Sequence, residues 1–252
     1  LERAIPGAIA PLRPAKGFHL VDLCLNLTGG EQLARQERKG ESFTVSPFAA
    51  GSHRLGYRDA RDYASISLGT AVTISGAAAS PAWGYQSSPA LAFLMTLFNL
   101  RLGWWLGNPG LAGQTTYRLR NPRMSLLPLI SEAVGQANDK FAYIYLSDGG
   151  HFENLGIYEL VLRRCHCIVI SDAGYDFTSA YGDLAEVVRK VRVDLGIPIQ
   201  ITHIGTIPSD EKKPGNYCAV GVIDYSFVDG PDAAPGKLLY VNPTAESLLG
   251  IK

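Results

Sequence analysis

Residues 142–150 read AYIYLSDGG, an apolar run that ends abruptly in an Asp-Gly-Gly sequence. The run predicts a buried β-strand, because it is short, continuous and rich in aromatic and β-branched side chains. Residues 167–171, CIVIS, form a second unbroken apolar run, which predicts a strand with no solvated face. A third strand is predicted at 199–204, IQITHI. The region 141–204 is therefore the most strongly patterned part of the chain.

Helical patterns separate these three strands. The segment 155–164 follows Asn154, a residue type that suits a helix N-cap. In 182–195 the apolar residues recur at helical spacing, and Gly196 marks the end of the helix. The alternation of strands and helices predicts an α/β fold, with a mainly parallel sheet covered by helices on both faces. The sequence pattern of the tail at 217–242 predicts a C-terminal β-hairpin.

The composition fits a large globular domain. A chain of 252 residues with 46% hydrophobic residues can bury a substantial core. We expect residues 1–252 to belong to one domain, with its core at 65–204. Lys+Arg and Asp+Glu number 23 each, so no overall charge favours nucleic acid as a partner. The chain opens with LER, neither an initiator methionine nor a signal peptide, and we expect it to begin within a longer polypeptide.

Four cysteines, Cys24, Cys165, Cys167 and Cys218, form no CxxC pair. Cys165-His166-Cys167 places two thiols on the same side of a predicted strand, so a zinc site is one interpretation. Further ligands for a closed zinc site have no obvious source, and reduced structural thiols are the alternative. We predict reduced thiols, no metal, no cofactor and a cytoplasmic location.

Residues 89–106 are almost wholly apolar, with Arg101 as the one charged residue and two tryptophans near one end. Eighteen residues are at the short limit for a membrane-spanning helix. The segment is open to three interpretations: a buried core helix, an interfacial or lid helix that contacts lipid, or a true span. Peripheral or integral membrane association therefore stays open.

Asp148 stands at the carboxyl end of its predicted strand. In an open α/β sheet, reactive groups gather at such ends because the loops there face a crevice. Gly149 and Gly150 permit positive φ and the close approach of another backbone. The same residues also make an ordinary Asp-Gly turn. By themselves they support a catalytic carboxylate and a structural turn equally.

Residues 147–156, SDGGHFENLG, resemble the Asp-Gly-Gly or Asp-Gly-Ala motif of patatins and cytosolic phospholipase A-type enzymes, in which an Asn follows a short spacer. Residues 75–81, SGAAASP, look like the small-residue segment that precedes the aspartate in these families. Residues 167–174, CIVISDAG, look like the strand that follows it. The resemblance covers about 65–204 and implies a patatin-like lipid acyl hydrolase domain.

The resemblance also implies a Ser-Asp dyad. Asp148 would take the proton of a serine that attacks a lipid or phospholipid ester, and would later help water to cleave the acyl-enzyme. Gly149 and Gly150 would let the motif pack against the nucleophile's loop. Asn154 would hold the motif in shape. His151 stands near the aspartate and could be the base of a Ser-His-Asp triad, but the resembled families need no histidine, and a positioning or headgroup-contacting role is the alternative.

The Gly-x-Ser-x-Gly elbow and the oxyanion segment that these families carry have no match in this chain. Ser75 lacks flanking glycines, and Ser147 stands too close to Asp148 to face the same carbonyl. We therefore expect the N-terminal part of the same polypeptide to supply the serine.

Two questions stay open at this point. Asp172 repeats an acidic-Gly turn at the next strand end, where it would form a turn or line the same crevice. The alternative to a lipid acyl hydrolase is a non-catalytic membrane-associated protein, in which a patatin-like shell presents residues 89–106 to lipid.

Overall fold

A computed structural model describes two compact units, Leu1–Phe152 and Glu153–Lys252. Their boundary falls inside the predicted core at 65–204. The residues whose placement it describes are 17–27, 40–64, 66–77, 103–122, 138–174, 181–204 and 218–242.

The first unit contains a six-stranded sheet. Its strands are β1 (Val21–Asn26), β2 (Gly40–Val45), β3 (Ala49–Ser52), β4 (Gly56–Asp59), β5 (Trp104–Gly107) and β6 (Tyr143–Asp148). They lie in the order β4-β3-β2-β1-β6-β5, and every neighbouring pair is antiparallel. Helix α1 (Leu68–Ser75) has Ser67 as its N-cap, and the Ser67 side chain accepts the Thr70 N–H. Short 3₁₀ turns follow β5 and β6, at Leu111–Gly113 and Gly149–His151.

The register between β1 and β6 gives the sheet two different faces. Leu25 lies opposite Leu146, and Cys24 lies opposite Ser147. Because side chains alternate between faces, the leucines share one face and pack with Ala71 and Ile74 of α1 in the main core. The other face carries Cys24, Ser147 and the neighbouring Asn26, all of them buried. The first unit thus has an apolar face and a buried polar face.

The described residues of the second unit form a four-stranded sheet and three helices. The strands are β7 (Cys167–Ser171), β8 (Ile199–Ile204), β9 (Cys218–Ile223) and β10 (Gly236–Val241), and the helices are α2 (Ile157–Leu162), α3 (Gly182–Leu195) and α4 (Ser226–Asp229). The strand order is β7-β10-β9-β8. β7 and β10 are parallel, whereas the other two pairs are antiparallel. Residues of α2 and α3 share a buried core with those of all four strands.

The prediction of a mainly parallel α/β fold was wrong. Among the described residues, β7 and β10 form the one parallel pair, and both sheets are mainly antiparallel. The apolar runs do form strands at the predicted places, but β6 pairs with β1 and β5 instead of joining β7 in a common sheet. An apolar run indicates burial and carries no information on strand direction, so it fitted both arrangements equally well.

Three details of the second unit can be compared with the sequence pattern. Burial alternates along β7, and Val169 is 64% exposed, so the prediction that this strand has no solvated face was wrong. The predicted C-terminal hairpin is confirmed, because β9 and β10 pair antiparallel. Gly196 ends α3 as predicted, with a left-handed φ of 70° and its N–H bonded to the Arg192 carbonyl.

Most of the apolar segment 89–106 lies outside the described residues, as do residues 78–81. The part that is described contradicts a helix, because Trp104–Gly107 is strand β5, paired with β6. Of the helices within the described ranges, none has the length and apolar character needed to cross a bilayer.

Candidate functional site

The two oxygens of the Asp148 carboxylate differ in their hydrogen bonding. Asp148 is the last residue of β6. Its Oδ1 accepts the Gly150 N–H at 2.8 Å, and this bond caps the start of the 3₁₀ turn Gly149–His151. In the described part of the chain, no group donates a hydrogen bond to Oδ2. The side chain is half-buried, so its position is fixed without being sealed from solvent. This arrangement suits a carboxylate that accepts a proton from a reacting group.

Gly149 is required by the strand that lies opposite. A Cβ at this position would stand 2.6 Å from the Asp22 carbonyl oxygen of β1, closer than non-bonded atoms can approach. Neither Gly149 nor Gly150 has positive φ, so the conformational freedom expected of them is not used. The backbone that approaches Gly149 closely is that of β1.

We expect Gly149→Ala to destabilise the first unit by about 1–3 kcal/mol, because the added methyl group forces β1 and the turn apart. The measurement is the midpoint of urea unfolding. Gly182→Ala is the matched control: Gly182 has open space around its Cβ position, and this variant should unfold at or slightly above the wild-type midpoint. Equal midpoints for Gly149→Ala and the wild type would contradict the steric explanation.

Ser75 lies beside the motif but is bonded to backbone. At the end of α1, its hydroxyl donates to the Asp22 carbonyl at 2.8 Å, the same oxygen that blocks a side chain at Gly149. It makes no hydrogen bond to Asp148. Ser75 and Gly149 therefore lie at the same carbonyl of β1, and Ser75 lacks the partner that a nucleophile needs.

Ser147 belongs to a buried hydrogen-bond network that sequence reasoning missed. Asn26 Nδ2 donates to Ser147 Oγ at 2.8 Å, and Ser147 Oγ lies 2.9 Å from His151 Nδ1. Ser147 is 0% exposed, which excludes it as a nucleophile that meets substrate in this conformation. Asn26 and Ser147 are 121 residues apart, so no local pattern could have linked them.

Asn154 belongs to the second unit and is not the N-cap of α2, so that prediction was wrong. Its Nδ2 donates to Asp183 Oδ2 at 3.1 Å, in the first turn of α3. The N-cap of α2 is Gly156, in a left-handed conformation, and as a glycine it has no side chain that could bond the first N–H groups. Asn154 thus stabilises the segment after the motif by joining it to α3.

Glu153 performs the capping role that was expected of Asn154. Its carboxylate accepts the backbone N–H groups of Leu155 and Tyr158 at the start of α2. Burial raises the pKa of Glu153, and these backbone bonds together with the charge of Lys190 counteract part of that rise. The residue is therefore a structural cap, and its type alone, an acid before a helix, is the signal that could have found it.

Asp172 forms a turn at the end of β7. Its carboxylate accepts hydrogen bonds from the Tyr240 hydroxyl, from Asn242 Nδ2 at 3.2 Å and from the Gly174 N–H at 2.7 Å. Three donors from its own unit satisfy both oxygens, so the geometry supports the structural turn.

The described residues contain no group of three or more His, Cys, Asp or Glu side chains that could hold a metal ion. All four cysteines are free thiols. Burial raises the pKa of the Cys165 thiol, with the nearby charge of Arg163 acting against it. This favours the protonated and less reactive form of Cys165.

Comparison with protein-family models, with curated proteins and with solved structures found no match for this chain.

Proposed function

We propose that Asp148 is the general base of a serine ester hydrolase that acts on lipids. The observation that carries this proposal is the state of its carboxylate, with Oδ1 fixed by the Gly150 N–H and Oδ2 without a hydrogen bond from the described residues. The serine is proposed to come from the N-terminal part of the same polypeptide. The support is the motif and its local geometry, and it does not include a parallel α/β fold.

In the proposed reaction Asp148 takes up a proton twice and releases it twice. The serine oxygen attacks the ester carbonyl while Oδ2 takes its proton, and the same proton then passes to the departing alcohol. A water molecule next attacks the acyl-serine, gives a proton to Asp148, and releases the fatty acid as the serine recovers its proton. A positioned general base of this kind typically accelerates a reaction by about 10²–10⁴-fold.

The geometry gives less support to other catalytic groups. Ser75 donates to a backbone carbonyl, and Ser147 is buried within its own network. The Nδ1 atom of His151 faces Ser147 Oγ at 2.9 Å instead of Asp148, so the Ser-His-Asp arrangement of a triad is not formed. Asp148 is the group best placed to accept a proton.

The lipid substrate is inferred from the resemblance of SDGGHFENLG to phospholipase motifs. The non-catalytic alternative requires residues 89–106 to be presented to lipid. No observation favours it, since the described end of that segment is paired with β6 in strand β5.

A fluorophosphonate probe tests the serine chemistry directly. We expect the full-length protein to be labelled at one serine that precedes residue 1, with the labelled peptide identified by mass spectrometry. The Ser75→Ala variant should label at the wild-type rate, since Ser75 is bonded to the Asp22 carbonyl. Labelling at Ser75 or Ser147, or no labelling of the full-length protein, would count against the proposed mechanism.

A further inference from the structure

We infer that Asn26, Ser147 and His151 form a positioning network for Asp148, in which His151 acts through Nδ1 as a hydrogen-bond acceptor. The catalytic consequence rests on the proposed function. The existence of the network does not depend on that function, and it can be tested separately.

The network connects three separate elements of the first unit. Asn26 ends β1, Ser147 lies in β6, and His151 ends the 3₁₀ turn. The contacts are Asn26 Nδ2 to Ser147 Oγ at 2.8 Å and Ser147 Oγ to His151 Nδ1 at 2.9 Å. Both distances are those of ordinary, well-formed hydrogen bonds.

The orientation of the Asn26 amide is fixed by its surroundings. Its nitrogen lies 3.4 Å from the backbone carbonyls of Cys24 and Tyr145, and these oxygens can only accept hydrogen bonds. The amide group that faces Ser147 must therefore be the NH₂ group, which makes Ser147 Oγ the acceptor of that bond. The amide oxygen of Asn26, in contrast, has no hydrogen-bond partner within the described part of the chain.

This orientation decides the direction of the next hydrogen bond. A hydroxyl group has a single proton, and the bond from Asn26 leaves that proton to be donated elsewhere. We assign that proton to the contact with His151 Nδ1 at 2.9 Å, so that the neutral imidazole accepts it and carries its own proton on Nε2. Asn26 thus donates to Ser147, and Ser147 donates to His151.

The burial of the network gives it a role beyond filling space. Asn26 and Ser147 are both 0% exposed, and an apolar residue at position 26 would avoid burying an amide oxygen without a partner. The hydrogen bonds of Asn26 and Ser147 therefore explain why polar residues are buried at these positions.

The network encloses the segment that carries Asp148. Ser147 directly precedes Asp148, and His151 ends the turn three residues later, so their bond joins the two ends of Asp148-Gly149-Gly150. Within this closed segment the Gly150 N–H holds Asp148 Oδ1, and the Phe152 N–H bonds the Gly149 carbonyl at 2.9 Å. We expect loss of the bond between Ser147 and His151 to free one end of the turn. The Asp148 carboxylate could then rotate away from the proposed nucleophilic serine.

The kinetic test compares two replacements of His151 in the full-length protein. His151→Asn places an amide oxygen near the position of Nδ1 and keeps the acceptor, whereas His151→Phe removes it. We expect His151→Phe to lower kcat for a soluble ester by about 10–100-fold with KM changed less than about threefold, and His151→Asn to recover most of kcat. His203→Phe, which replaces an exposed histidine of β8, should behave as the wild type.

Two kinetic outcomes would overturn the inference. If both His151 variants lose kcat equally, the ring takes part through its other nitrogen or through proton transfer, and not as an acceptor at Nδ1. If both retain wild-type kcat, the network has no effect on catalysis.

Hydrogen exchange gives a readout that does not depend on activity. In the intact protein, the backbone of residues 147–152 should exchange faster in His151→Phe and in Asn26→Leu than in the wild type, while His151→Asn stays protected. Unchanged protection of this segment in His151→Phe would refute the network even in an inactive protein. If Asp148→Asn leaves ester hydrolysis intact, the proposed function fails, while the exchange result still decides whether the network holds the turn.

Discussion

Replacing Asp148 by Asn should lower kcat for ester hydrolysis by the full-length protein about 10²–10⁴-fold, the usual contribution of a general base. The amide cannot take the serine proton. Its oxygen can still accept the Gly150 N–H as Asp148 Oδ1 does at 2.8 Å, so the turn and the fold should persist. The measurement is steady-state hydrolysis of a phospholipid and of a soluble ester, together with a thermal unfolding curve for each protein.

Asp59→Asn is the matched control for this experiment. Asp59 also accepts, through Oδ1, the N–H of the residue two positions later, which is Arg61, at 2.9 Å. It makes the same kind of turn at the end of β4, so the substitution changes charge and turn chemistry in the same way. Wild-type turnover in Asp59→Asn with loss in Asp148→Asn supports the general base. Retained turnover in Asp148→Asn would reject it.

Leu25→Ala should lower the free energy of unfolding of the first unit by about 2–5 kcal/mol, the range for truncating a buried leucine. Leu25 is fully buried in the central strand β1, between its partners on β2 and β6. The three tryptophans of the chain all lie within Leu1–Phe152, so their fluorescence during urea unfolding reports on this unit.

Leu111→Ala removes the same atoms from a side chain that is 68% exposed, and it should change stability by less than about 0.5 kcal/mol. Similar losses in the two leucine variants would contradict the burial of Leu25 at the centre of the core.

The site was predictable in part. Asp148 at the end of a buried strand followed from the run AYIYLSDGG, because a continuous apolar segment with a Gly-rich end is a local pattern. The steric need for Gly149 was not predictable, since it depends on the Asp22 carbonyl of β1. The link from Asn26 to Ser147 was also out of reach, because it requires the register of two strands that are far apart in the chain.

Helix caps were predicted correctly where they depend on neighbouring residues and wrongly where they depend on distant ones. The end of α3 at Gly196 was predicted correctly, because a glycine after a helical pattern acts within its own turn. The assignment of Asn154 as an N-cap was wrong, because Asp183, about thirty residues later, binds its amide while Glu153 takes the capping role. A polar side chain near a helix end has several local partners open to it, and packing selects among them.

The sequence by itself determined where the strands of 141–204 lie, where α3 ends, and which carboxylate stands at the exposed end of a strand. These features depend on hydrophobic period and on residues within a few positions of each other. The tertiary structure decided that β6 pairs antiparallel with β1 and β5, that Gly149 faces β1, and that a buried network lies next to Asp148. The physical reason is that backbone hydrogen bonds are alike for every residue, so strand direction and register are set by how whole faces pack.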